Sequence, residues 1–410
     1  MRLSDIEIEA ASHRAAVVTL LRSHLPYRRR GYVAGEVGVY PSYLARVLSD
    51  RGYSEWGISR HRSERRSEPL GRTLAARLAD SLGLDVRSRD QLLEHASLSH
   101  ESHIKAYIAM EGALSQLELD AILPELLKLH AAANHESNPA LASTLFTRSY
   151  CLAKKFVKRV PPRAYPLEFS QVCLVLNDLE AVLDRNVDGI YHARLAQHWA
   201  KAAGVKGSNL LGKDADDLWG NALVAEAVST HNLGLNKEAH VLSEKAFTER
   251  INTWSGEAAL HLLRYTAFAQ RTSLQAVDRL ADQYFEAVEK FGSGTDSSTS
   301  RLALSEAKLR AYLACQPRAK ASLKKADSEL EQCLSETASH ASEESRVFQY
   351  ISQTGALRSV IFLNTYGQLL KARGDAIRAE KIRAETESRA KRAGLTHQLV
   401  RIRAGSPSGY

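Results

Sequence analysis

From about His103 onward, apolar residues recur at helical spacing, and turn signals interrupt them at short intervals. The breaks fall at Asn138-Pro139, Pro161-Pro162, Asn186 to Gly189, Gly204 to Gly212, Gly234, Gly256, Gly292 to Ser300, Pro317 and Gly374. Helices of about 12–18 residues joined this way cannot each bury a core, so they must stack on one another. Ala and Leu dominate, and prolines number only 10. The predicted fold class is therefore all-α. With 44% apolar and 25% charged residues, the 410-residue chain can bury a core in each of two or three domains.

Two segments within this region repeat a pattern. One, Trp219 to Phe247, contains Ala227, Leu233-Gly234 and Glu238-Ala239; the other, Leu357 to Ala384, contains Gly367, Arg373-Gly374-Asp375 and Ala379. In each, a small residue lies seven positions before the turn glycine and an alanine five after it. Small residues let two antiparallel helices approach, and glycine turns the chain between them. This pattern resembles the tetratricopeptide (TPR) repeat, although the later aromatic position is Ser243 in one segment and Arg383 in the other. Ala142–Val157 with Leu167–Leu183, and Leu302–Cys315 with Ala319–Leu334, form looser pairs. The resemblance implies a TPR-like α-helical solenoid over residues 99–403, a right-handed superhelix with a concave inner face, and a flexible tail at 404–410.

The first 98 residues read differently. A helix is predicted from about Ala10 to His24, with Ala15, Val18, Leu21 and Leu25 facing inward and Pro26 ending it. Tyr32 to Leu48 then reads as two short helices about a tight turn. Ala34 permits a close crossing, Gly38 suits positive φ, Val37 and Val39 fill the corner, and Pro41 opens the second helix. Leu44, Val47 and Leu48 face inward; Ser42, Tyr43 and Arg46 are left outside. A further helix is predicted over about Ser88 to Leu98.

Ala34, Gly38, Val39, Leu44 and Val47, followed by Pro69-Leu70 and Leu74 to Asp85, resemble the lambda-repressor/Cro-like (XRE) helix-turn-helix family. The resemblance spans about residues 10–98 and implies a domain at 1–98 that binds a double-stranded DNA operator. It places the base-reading positions on Pro41, Ser42, Tyr43 and Arg46, with Arg30 where relatives often hold phosphate with Gln. Arg46 suits bidentate contact with guanine; Tyr43 serves either the DNA or the core. The connection from Asp50 to Glu68 is long and carries Arg60, Arg62, Arg65 and Arg66. It is either a basic wing on the phosphates or an insertion that its charges merely solvate. Between Leu25 and Arg77, eleven arginines stand against five acids within a net charge of +8.

An XRE-like head on a TPR-like body resembles the RRNPP group of peptide-responsive, quorum-sensing regulators. That implies a cytoplasmic homodimer whose repeats bind a peptide or small-molecule ligand and reset the spacing of two DNA heads. Two half-sites require recognition helices about 34–36 Å apart. Asn177, Asn221, Asn232, Arg264 and Asn364 are the candidate ligand contacts, because Asn can hold a peptide backbone through donor and acceptor together. The same residues also suit exposed polar sites or helix caps.

Little points to catalysis. No HExxH, P-loop, GxGxxG or GxSxG is present, so neither an enzyme nor a cofactor is expected. His95, His100 and His103 fit no standard metal spacing. Cys151, Cys173, Cys315 and Cys333 include no CxxC pair and are expected as small core residues. Asp214, Asp216 and Asp217 precede an apolar helix and are expected to cap it. No apolar run approaches a membrane span.

Overall fold

The computed structural model describes residues 3–48, 72–108, 112–204, 214–249, 273–291, 297–315 and 320–404. These residues are overwhelmingly helical, as the all-α expectation requires. The chain divides into two compact units: Met1–His135 with Cys151–Val160, and Glu136–Tyr150 with Pro161–Tyr410. Residue 98, the boundary expected from sequence, lies inside a continuous helix, Val86–Ile108.

In the first unit, α1 (Leu3–His24) leads through a 3-10 turn (Tyr27–Arg29) to α2 (Arg30–Glu36) and α3 (Pro41–Val47). Then come α4 (Arg72–Leu82), α5 (Val86–Ile108) and α6 (Gln116–His135). One apolar core joins α1 to α5 through Val17, Leu21, Leu25, Val33, Ala34, Val37, Leu44, Val47, Leu48, Ala75, Leu78, Leu92 and Ala96. Ala15, expected inside, is exposed; Val17, at 3% exposure, joins Val18, Leu21 and Leu25 on the buried stripe, and Ala15 falls at its edge. Helix α4 stops at Gly83 (φ +63°), where the Leu84 N–H reaches back to Ala79 O at 3.0 Å. Asp85 then caps α5 by accepting the Ser88 N–H at 2.9 Å, a bond that lowers its pKa. The Leu-Gly-Leu-Asp run thus ends one helix and starts the next.

In the second unit, the part of α7 (Pro139–Val157) up to Tyr150 is followed by α8 (Pro166–Val182), α9 (Asn186–Ala202), α10 (Ala215–Asn232) and α11 (Asn236–Glu249). Then come α12 (Leu274–Phe291), α13 (Ser297–Ala314), α14 (Lys320–Cys333) and α15 (Glu343–Ser352). The last three are α16 (Ala356–Arg373), α17 (Ala376–Arg392) and α18 (Thr396–Arg403).

Neighbouring helices run antiparallel. Ser170 donates to Ala196 O while Asn177 donates to Gly189 O, so α8 and α9 pass in opposite senses. The predicted small-residue crossings are present. Ala227 and Ala239 are both fully buried and pack together, and Gly234 adopts φ +82°. A Cβ on Gly367 would lie 3.4 Å from Ile382 Cγ2, and Gly374 ends α16 at φ +89°. Helices α8, α10 and α16 are buried around nearly their whole circumference, as central helices are.

Two sequence expectations are corrected. Cys151 is exposed, whereas Cys173, Cys315 and Cys333 are buried as expected; Cys151 occupies a solvent-facing position of the amphipathic helix α7. Residues Ser297 to Ser300, expected in a linker, form the first turn of α13. Asp214 caps α10 as expected, accepting the Asp217 N–H at 2.8 Å.

Candidate nucleic-acid interface

The corner between α2 and α3 is built by backbone geometry. The Val37 N–H bonds Val33 O, the Gly38 N–H bonds Gly35 O, and the Val39 N–H reaches Ala34 O at 2.9 Å. Gly38 sits at φ +72°, which an L side chain resists. Ala34 is fully buried beneath the corner. Leu44, Val47 and Leu48 anchor α3 in the core. At the far end of α3, Arg22 donates through Nε to Leu48 O at 3.1 Å, placing a cation at the negative end of the helix.

This seating leaves the opposite side of α3 uncovered. Pro41, Ser42 and Ala45 are exposed, and Tyr40 just before the helix is 83% exposed. Tyr43 and Arg46 belong to α3, but their side chains lie outside the described residues. Arg28 and Arg29 are exposed on the turn ahead of α2, and Arg30 is half-buried at its start. Arg77, exposed on α4, reaches the corner: a Cβ on Gly38 would lie 4.0 Å from its Nη1. Arg60, Arg62, Arg65 and Arg66 lie outside the described residues.

One connection had no sequence signal. The Ser81 hydroxyl on α4 donates to Glu36 at the end of α2, and Tyr32 also bonds Glu36. These bonds, Ser81 first, hold the Glu36 carboxyl below its usual pKa. They tie α4 to the corner across 45 residues.

The candidate ligand contacts of the second unit do not share one surface. Asn177 is fully buried, and its amide donates to Gly189 O (2.9 Å), Ala225 O (3.3 Å) and Ser229 Oγ (2.9 Å). It ties α8, α9 and α10 together inside the stack rather than lining an open face. Asn232 likewise donates to Asn186 Oδ1 at 3.0 Å and is buried. Asn221 is half-buried and Asn364 buried, while Arg264 lies outside the described residues. Other buried polar groups lacked any local signal, because their partners are distant in sequence. His192 pairs with Glu180 at 2.7 Å, and His397 pairs with Asp184 at 3.0 Å across 213 residues.

Among the described residues, no three His, Cys, Asp or Glu side chains are grouped to hold a metal ion. No described helix is long and apolar enough to cross a membrane. Comparison with protein-family models finds no match, and comparison with curated proteins finds none.

Proposed function

We propose that this chain is a sequence-specific DNA-binding regulator in which α3 enters the major groove. The observation that supports this is the seat of α3: one side locked in the core by Leu44, Val47 and Leu48, the other carrying exposed Ser42 with Tyr43 and Arg46 in the same helix. In a helix-turn-helix, the base-reading side chains project from such an uncovered face. Exposed arginines at 28, 29 and 77 supply phosphate contacts around it. On the same proposal, the protein acts as a cytoplasmic homodimer, and a peptide or small molecule bound by the helical second unit sets its operator affinity. The burial of Asn177 and Asn232 directs the search for ligand contacts to other positions, Asn221 among them.

Fluorescence anisotropy of the full chain tests the proposal, using DNA from its own promoter region against scrambled DNA at two salt concentrations. A preference of about a thousandfold or more is expected, with affinity falling as salt rises. Arg46→Ala should cost about 1–3 kcal/mol on the preferred site and relax one base position. Equal loss on every sequence would remove Arg46 from base reading. Weak, sequence-blind binding by the parent protein would instead make the head a protein-interaction module on a repeat adaptor.

A further inference from the structure

The last described helix, α18, is held to the second unit by contacts that span much of the chain. Arg401 donates from Nη1 to the imidazole Nε2 of His231 at 3.2 Å and from Nη2 to His231 O at 3.0 Å. His231 lies in the last turn of α10, 170 residues earlier. One turn away on α18, His397 Nδ1 pairs with Asp184, two residues beyond α8. Both imidazoles are almost completely buried, at 2% and 5% exposure.

A guanidinium can only donate. The 3.2 Å contact therefore requires a bare lone pair on His231 Nε2, which only the neutral ring supplies. A proton there would set one N–H against another and bring two positive charges together in a buried site.

We infer that α18 is a proton-released latch: neutral His231 holds Arg401, and protonation of that imidazole frees the helix from α10. This inference does not depend on the DNA-binding proposal. The groups facing the latch act in both directions. Around His231 stand Arg401 and His397 from α18, Arg310 from α13, and Asn236 just beyond α10. Burial and then Arg401 push the His231 pKa down to about 3, with only Asn236 opposing. Around His397, Asp184 favours the proton, but burial and then Arg401 outweigh it and lower that pKa too. On α17, Glu387 holds Arg403 at 2.7 Å, a pair that a proton on His231 leaves intact. Next to α16, the small cavity beside His397 is lined by apolar Leu357, Ala181 and Val182 together with Gln398.

The sign follows from linkage. The released histidine takes a proton near pH 6.5, and the latched one near 3, so the latched state binds fewer protons between those values. Its advantage is complete above about pH 6.5 and shrinks about tenfold per pH unit below it.

Hydrogen exchange followed by mass spectrometry on the full chain tests this. After correction for intrinsic rates, the opening constant of α18 amides should rise at least about tenfold between pH 7.5 and 5.5, His231 alone supplying that factor. In His231→Gln, whose amide oxygen can accept from Arg401 but does not titrate, the tenfold share due to His231 should vanish, leaving only what His397 contributes. Should the variant fold poorly, nitrogen spectra of histidine-labelled parent protein decide the matter: the His231 signal should stay neutral while α18 remains protected. A pH-independent α18, or His231 titrating near 6.5 with α18 still protected, would overturn the latch.

Discussion

The core shared by helices α1 to α5 and that of the second unit are made of different materials. The first centres on Leu, Val and Ala side chains, and two buried polar groups beside it bond within α5 itself, Ser97 to Leu93 O and Glu101 to Lys105. The second is threaded with buried polar groups. Glu306 alone receives Tyr350 OH, Arg358 Nε at 3.0 Å and the Arg310 guanidinium at 3.9 Å. Burial and then this carboxylate push the Tyr350 phenol far above its usual pKa. The contrast teaches what each region must specify. The helices around the corner rely on a closely packed apolar centre, with Gly38 and Ala34 fixing the turn between α2 and α3. A stack of similar helices could pair in several registers, and directional ties such as Asn177 to Gly189 and Ser229 allow only one.

Substitutions in the two cores should separate accordingly, with hydrogen exchange reporting each region. The largest effect is expected from Glu306→Ala, which leaves two guanidiniums without their buried carboxylate and should cost the second unit about 3–5 kcal/mol. Replacing the group together, as Glu306→Leu with Arg310→Met, Tyr350→Phe and Arg358→Met, should recover most of that stability. Failure to recover would mean that the network stabilises its unit rather than selecting its register. Next, Leu21→Ala should destabilise the first unit by about 3 kcal/mol, because Leu21 is fully buried in the apolar core. A loss under about 1 kcal/mol would show that core to be loosely packed. Asn177→Ala should cost about 2 kcal/mol by leaving buried partners unsatisfied, detected as faster exchange in α8 to α10. The smallest change, Gly38→Ala, should cost about 1 kcal/mol through its φ of +72° alone, since no neighbour crowds that position; thermal unfolding of the first unit measures it.

Local physics explains how far sequence foresaw these regions. The corner was legible because Ala34, Gly38, Val39 and Leu44 lie within a dozen residues, and each has one steric task. The small-residue crossings at Ala227 with Ala239 and at Gly367 with Ala379 are legible for the same reason, whereas the contact of Gly367 with Ile382 is not. The early start of α1 is written in Ser4 and Glu7, an S-x-x-E helix-start pattern, which the apolar spacing from Ala10 onward does not reach. Asn177 and Asn232 were read as ligand contacts because donor-acceptor chemistry suits a peptide and another helix equally well. Only the fold decides which partner is present. The Ser81–Glu36 and Asp184–His397 bonds join residues 45 and 213 apart, beyond any periodicity.

That last bond also bears on how the chain reaches its fold. Stacks of helical repeats ordinarily make only neighbour contacts, and can nucleate anywhere and grow. Bringing Asp184 to His397 closes a loop of 213 residues, against 12 for Asn177 and Gly189. On polymer grounds the longer closure costs about 2.5 kcal/mol more in entropy. The α18 contacts should therefore form late, after the helices between them are in place. Once made, they bind the two ends of the stack into one cooperative body, in which fraying at either end is felt at the other.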